Sequence, residues 1–257
     1  MLKTAIIIST YNEPEKLNLI LEHLHLGSQL PDEIIIADDG SSNETKEISN
    51  CWIHKLNLRH LWHEDLGFRK CKILNKCLKD AQSDYIIFLD GDCVPNKSFV
   101  KDHVSLAQKG FFVQGRRCFI PEIHVPDLLD KKTTINKLLL GLKLKGYFKA
   151  LRLPVPIAFI NKKQRGLIGC NWSAWHEDLI KVNGFDEEFE GWGHEDSEIC
   201  TRLYNNGILR RFIYGRAIVY HMNHPIKDRS NSNAAFRRLQ NTINTKKQFC
   251  SKGISKF

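Results

Sequence analysis

No uninterrupted apolar run in this chain reaches the roughly 18 residues that a membrane-spanning helix needs. The opening stretch, Met1 to Ser9, is also too short an apolar run for a secretory leader and carries no cleavage pattern, so a cytoplasmic protein is expected. The eight cysteines form no CxxC pair, which gives zinc no support and suits small buried hydrophobes in a reducing compartment. Internal repeats and low-complexity tracts are missing as well, which argues against solenoids and long linkers. No pattern of an RNA-recognition motif, KH domain or zinc finger is present, so nucleic acid is not an expected partner.

What is present is enough chain, 257 residues, to bury a full core without disulfides or metal. The net charge of +9 is local rather than global. Ten Lys and Arg and no acid lie between Lys131 and Arg165, leaving 28 basic and 29 acidic groups elsewhere. Within this segment, residues 135 to 152 mix leucines with cations in the manner of an interfacial amphipathic helix, although Gly141 and Gly146 weaken it. An ordinary helix with a lysine-rich wet face fits the same pattern.

Along the first half, β-branched runs alternate with helical spacing. Lys3 to Ser9, Glu33 to Ala37 and Tyr85 to Leu89 read as buried parallel strands, with a weaker one near Leu56 to Leu61 and another at Phe111 to Gly115. Helices are expected from Pro14, from Asn43 to Asn50 and from Arg69 to Ala81. After residues 121 to 166, which read as an insertion or lid, strand character returns at Leu167 to Asn171. Helices follow at His176 to Asn183 and His194 to Asn206. The alternation predicts an α/β fold with a mostly parallel, Rossmann-like sheet covered by helices on both faces. Ligands in such sheets bind beyond the carboxyl ends of the strands. The groups Thr10 to Glu13, Asp38-Asp39 and Asp90-Gly91-Asp92 all follow strand ends and are therefore expected on one rim.

Two acidic clusters carry the chemistry. Asp90 and Asp92 sit two residues apart, where an extended backbone points both the same way, and two hard oxygen ligands suit Mg²⁺ or Mn²⁺ bridging a diphosphate. Gly91 between them lets phosphates approach the backbone. A carboxylate at Asp38-Asp39 can accept the imide N–H of uracil. The cations Arg69, Lys70 and Lys72 stand at a helix start, where anions are favoured. The second cluster, Glu195-Asp196 after Gly191-Trp192-Gly193, offers a base, although acids in a first helical turn also simply complement the dipole.

Taken together, Ile7-Ile8-Ser9-Thr10-Tyr11-Asn12, Ala37-Asp38-Asp39-Gly40-Ser41, Leu89-Asp90-Gly91-Asp92 and Gly191-Trp192-Gly193-His194-Glu195-Asp196 resemble the family 2 glycosyltransferases of the type A fold. Phe68 to Asn75 and Gly184-Phe185-Asp186 look like its galactosyltransferase and chondroitin-synthase branch. The resemblance covers about residues 3 to 120 and 167 to 222 in matching order. It implies that Thr10, Tyr11, Glu13 and Asp39 hold uridine, with Phe68, Arg69, Lys72 and Gly91 on the nucleotide side. Asp90 would touch ribose or metal, and Asp92 would ligate the metal with a late histidine, His221 or, less well matched, His224. Asp196 would be the base and Glu195 a partner of the acceptor hydroxyl. Trp192 would stack on sugar, with Gly193 and Asn171 also on the acceptor side.

The expected enzyme is an inverting transferase that takes a hexose or N-acetylhexosamine from a UDP-sugar, with Mn²⁺ or Mg²⁺, to a saccharide or glycolipid hydroxyl. Bacterial relatives build lipopolysaccharide or capsule, and the basic stretch 131–165 suits peripheral contact with an anionic membrane. One catalytic domain is expected over 1–222, with a nucleotide-binding half at 1–115, the basic insertion at 121–166 and an acceptor-binding half at 167–222. A helical tail over 223–257 would follow. A nucleotidyltransferase would instead want a glycine-rich loop after the first strand, and Ser9 to Pro14 has no glycine.

Overall fold

The computed structural model describes residues 2–161, 167, 169–191, 193–224 and 232–256. Its strands are β1 (Thr4–Thr10), β2 (Glu33–Asp38), β3 (Leu58–Trp62), β4 (Tyr85–Asp90), β5 (Cys93–Pro95), β6 (Phe111–Gln114), β7 (Arg116–Ile120), β8 (Ile157–Asn161), β9 (Asn171–Trp175), β10 (Leu209–Tyr214) and β11 (Ile218–Met222). The helices are α1 (Pro14–His25), α2 (Asn43–Trp52), α3 (Lys70–Asp80), α4 (Phe99–Leu106), α5 (Val125–Leu129), α6 (Ile135–Leu140), α7 (His176–Lys181), α8 (Glu195–Asn205) and α9 (Ser232–Asn244).

Ala5 to Ile8 and Ile34 to Ala37 are apolar at every position because both faces of their strands are covered, and none is more than 1% exposed. Eight strands join in the order β3-β2-β1-β4-β9-β6-β10-β8. The first four run parallel, β9 runs against both β4 and β6, β10 is parallel to β6, and β8 closes the edge antiparallel to β10. Helix α1 starts with Pro14 in its first turn and buries Leu17, Ile20, Leu21 and Leu24 on one face of the sheet. Helices α3, α7 and α8 cover the other face around Trp172, which stacks on Phe88 with ring centroids 4.4 Å apart. The mostly parallel, doubly covered sheet thus agrees with the sequence reading.

Three local expectations change. The returning strand is β9 at Asn171–Trp175, while Leu167 to Cys170 precedes it. The amphipathic helix of residues 135–152 does not form as one piece. Only α6 is helical, Gly141 caps it, and a short 3-10 turn at Tyr147–Ala150 follows Gly146 at φ +75°. The segment is also no free lid, because Val125, Leu128, Ile135, Leu138, Leu144 and Ala150 bury against the second sheet, β5-β11-β7. At its far end Arg152 pairs with Asp102, which also accepts the Ala217 backbone N–H at 3.0 Å. The C-terminal part holds α9, packed on α8, where Thr242 donates to Glu198 at 3.0 Å.

Candidate active site

Strands β1, β2 and β4 end on one rim, and the loops after them meet the start of α8 across a cleft of about 380 Å³. Thr10, Tyr11, Glu13, Asp39, Phe68, Asp90, Gly91, Asp92, Gly193, Glu195 and Asp196 all line it. The convergence expected from the strand ends is therefore present, although these groups span nearly two hundred residues of sequence.

On the β1–β2 side the loops lock each other. Asn12, at φ +51°, donates its backbone N–H to Ser41 Oγ at 2.8 Å, and its side-chain oxygen accepts the Ser42 N–H at 2.9 Å. The two neighbouring aspartates divide their work. Asp38 is fully buried and accepts the Ser41 N–H at 2.7 Å, with His60 Nε2 at 2.8 Å. Asp39 faces the cleft, with His63 Nε2 at 2.7 Å and the Arg69 backbone N–H at 2.9 Å on its other oxygen. Burial pushes the Asp39 carboxyl up, and the His63 and Arg69 contacts only partly oppose this. Thr10 Oγ1 is buried without a partner among the described residues, a polar atom available to a ligand at the same end.

At the end of β4, Asp90 and Asp92 have different surroundings. Asp90 Oδ1 accepts from Ser9 Oγ and from Lys70 Nζ, each at 2.8 Å. Gly91 donates its N–H to the Ser9 carbonyl at 2.7 Å, and a Cβ at Gly91 would stand 2.6 Å from that oxygen. The glycine is therefore required first by its own β1 neighbour. Asp92 Oδ2 lies 3.2 Å from the Nε2 atoms of both His221 and His224. Burial alone would raise the Asp92 carboxyl, but the bonds from the two imidazoles hold it well below the usual carboxylate range. Both late histidines thus reach the same oxygen. Potential ligand atoms of Asp92, Cys93 and His221 all lie within 4.8 Å of one another. Carboxylate oxygen combined with imidazole nitrogen suits a divalent transition ion such as Mn²⁺, so these residues fit the metal the sequence suggested.

The opposite wall is the start of α8. Gly191, Gly193 and His194 have φ of +83°, +118° and +68°, all positive, just before the helix begins. Glu195 accepts the Gly193 N–H at 3.2 Å and is buried. Asp196 faces the cleft against Gly169, where an added Cβ would stand 1.7 Å from an Asp196 oxygen. Burial, followed by the charge of Glu195, pushes the Asp196 carboxyl up to about 8, with Lys70 opposing and Asp90 adding to the rise. Below this turn, α8 is anchored by a fully buried pair in which Arg202 Nη2 meets Glu198 at 2.7 Å.

Several sequence assignments need correction. Arg69 and Lys72 do not line the cleft; with Cys71 they line a neighbouring groove formed by Glu187 to Glu190. Arg69 serves Asp39 through its backbone, and its guanidinium turns to the Glu64 carbonyl. The cation in the cleft is Lys70, the first residue of α3. Burial pulls the Lys70 ammonium down, but Asp90, Asp196 and Glu195 outweigh it and hold it well above the usual lysine range. Asn171 is fully buried and structural. Its amide donates to the carbonyls of Arg116 and Ala217 at 2.9 and 2.7 Å, and its oxygen faces His103. Trp192 lies outside the described residues. His60 and His63 were missed as site residues, and Lys70 was read only as one of three cations at the helix start. His60 stands opposite Ile36 in the β2–β3 register, two residues from the Asp38–Trp62 pair and on the same face, so the two-residue alternation of β3 would have put its ring within diagonal reach of Asp38.

Solved structures place this fold among the type A glycosyltransferases. TarS 1–349 from S. aureus, in complex with UDP-GlcNAc, superposes with a TM-score of 0.67 at 18% identity, covering 99% of this chain and 69% of that one. The mannosyltransferase PcManGT from Pyrobaculum calidifontis, in complex with GDP-Man and Mn²⁺, gives 0.58 at 19% identity, covering 92% and 61%. Residues 5–159 match the model described as glycosyl transferase family 2, and residues 157–225 match one described as the N-terminal domain of galactosyltransferase. The first match spans more than half of the chain, which therefore belongs to glycosyl transferase family 2. The chain is 26% identical over 253 residues to a chondroitin synthase from Escherichia coli, covering 91% of this chain and 37% of the relative. Against a hyaluronan synthase from Pasteurella multocida the identity is 27% over 257 residues, covering 91% and 26%. The chain thus spans little more than a third of the length of these relatives, or less.

Proposed function

We propose that the protein is an inverting transferase that moves a hexose or N-acetylhexosamine from a UDP-sugar to a hydroxyl of a saccharide acceptor. The observation that carries this reading is the single cleft that sets Asp39, the Asp90–Asp92 pair and Asp196 on three of its walls. The UDP-GlcNAc complex of TarS, a structural neighbour, supports a uridine donor.

Asp39 accepts the uracil imide N–H, held in place by His63 and the Arg69 backbone. Asp90, fixed by Ser9 and Lys70, takes the ribose side. Asp92 with His221 and His224 would hold Mn²⁺ or Mg²⁺, which when bound would supply Lewis-acid help to the departing diphosphate. Asp196 removes the proton of the attacking hydroxyl, and Glu195 raises its basicity from the adjacent position. Lys70 balances the negative charge of the three carboxylates around it. Transfer proceeds by one displacement, so one base is enough.

The acceptor belongs to lipopolysaccharide or capsule assembly in this reading, and the stretch 131–165 meets an anionic membrane. The stretch presents Leu140, Leu142 and Phe148, 86%, 68% and 85% exposed, beside Lys143 and Lys149. Apolar anchors among cations suit an anionic interface. The decisive test is a panel of UDP-sugars with Mn²⁺, read by thermal shift and by donor hydrolysis. One uridine donor should stabilise the protein and turn over slowly. A protein that responds to none of them, or only to guanosine or adenosine donors, is not the enzyme described.

A further inference from the structure

Outside the cleft, one group of polar donors meets no acid among the described residues. It lies where β6 and β10 end, the cleft end of these strands. Phe212 is in register with Gln114, and Gln114 with Trp172, so all three share one face of the sheet. Trp172 packs with Ile199, Cys200 and Leu203 of α8, which makes this the face covered by the helix that carries Asp196. Cys200, one turn beyond Asp196, feels the charges of both Arg210 and Asp196.

Arg116 is only 9% exposed, and its guanidinium carbon stands 4.1 Å from the Tyr214 ring centroid and 4.9 Å from that of Phe212. Among the described residues its buried Nε has no hydrogen-bond partner and no ion pair engages it. Gln114 is fully buried. Its Oε1 accepts from Arg210 Nη1 at 3.0 Å, while its Nε2 has no partner among the described residues. Donors are thus in surplus, and a buried cation with no acid is costly unless an anion comes to it. Around them is an aromatic rim. Phe159 lies opposite Phe212 in the β8–β10 ladder, its ring centroid is 6.0 Å from that of Tyr214, and both rings are exposed. Flat rings offer a surface to the C–H face of a sugar, and a planar guanidinium takes a carboxylate or phosphate bidentately.

We propose that Arg116, held between Phe212 and Tyr214 beside Gln114, forms an acceptor subsite that selects a saccharide bearing an anionic group, a carboxylate or a phosphate. The subsite rests on the reading of the Asp196 wall as the acceptor side. It adds a charge requirement to that side and leaves the uridine site untouched.

The test uses two matched pairs of probes in ligand-observed NMR titrations with UDP and Mn²⁺ present: p-nitrophenyl β-glucuronide against p-nitrophenyl β-glucoside, and glucose 6-phosphate against glucose. In at least one pair the charged member should bind about tenfold more tightly than the neutral one, as a charge-assisted hydrogen bond warrants. A preference in the first pair assigns a carboxylate, and one in the second a phosphate. Arg116→Gln should abolish the preference, and Tyr214→Leu should weaken both members of the pair together. Should the Gln variant fail to fold, Arg116→Lys keeps the charge without the fork and should cut the preference at least threefold. Equal binding within both pairs, or a preference unchanged in these Arg116 variants, overturns the proposal. UDP affinity, measured separately, should match the wild type in every variant. Its absence in the wild type would refute the donor reading while leaving the charge preference readable.

Discussion

At the scale of single residues, Asp196 as the proposed base combines two demands that pull against each other. A general base contributes about 10²–10⁴-fold, so Asp196→Asn should lower kcat by that factor while UDP binding stays within about threefold of the wild type. Activity within threefold of the wild type would remove Asp196 from the role. The raised value near 8 also sets a sign. The base acts only when ionised, so kcat/KM should rise with pH along a limb with its midpoint near that value, and Glu195→Gln, which removes a like charge, should move the limb to lower pH. Stability runs the other way. A carboxyl that holds its proton more tightly when folded favours the fold below its unfolded value near 3.9, and that advantage is lost as pH rises through about 8. Asp196→Asn should therefore melt higher than the wild type at pH 8 and lose that margin at pH 4, which thermal melts at the two values would check. Gly169→Ala should reproduce the loss of turnover, because the new methyl would occupy the place of the carboxylate.

At the scale of elements, the aim of Asp196 depends on α8, and α8 depends on a buried ion pair. Arg202→Met strips the buried Glu198 of its ion-pair partner, with Thr242 the remaining side chain that bonds it among the described residues, and should cost about 3–5 kcal/mol in denaturant unfolding. Converting Glu198 to Leu as well should restore much of that loss, since a well-packed apolar pair is often as good as a buried charged one. Elements also show what could be read from sequence. Strands β1, β2 and β4 were legible because full burial writes an unbroken β-branched run, and the acids after them had to share a rim. The choice between Lys70 and its neighbours Arg69 and Lys72 was not legible. It depends on the helix starting at Lys70, and α3 begins without a side-chain cap that the sequence could announce. Asn171 misled for a related reason: a polar residue at a strand start looks like a ligand contact until its amide is found bonding two carbonyls from distant parts of the chain.

At the scale of the whole molecule, the second sheet was invisible in the sequence. Its three strands are three to five residues long, and they come together from positions 93, 116 and 218, so no local pattern records their pairing. That sheet turns the basic segment from an apparent insertion into part of the body, yet leaves its outer surface apolar and cationic. The protein should float with vesicles containing anionic lipid at low salt and release as ionic strength rises, and Leu140→Ser with Phe148→Ser should abolish flotation. Indifference to lipid charge would refute the membrane contact.

The edge position of β8 has a practical side. It pairs only with β10 among the described residues, so its other ladder presents open N–H and C=O groups beside the exposed Ile157, Phe159 and Ile160. An apolar strand with a free side is a template for edge-to-edge self-association, and concentrated samples of this protein should precipitate through it. Ile160 lies one residue from Phe159 along the strand and so on the other face of the sheet. Ile160→Lys should therefore raise solubility and leave the aromatic rim intact, which gives the handling of the protein a target separate from its chemistry.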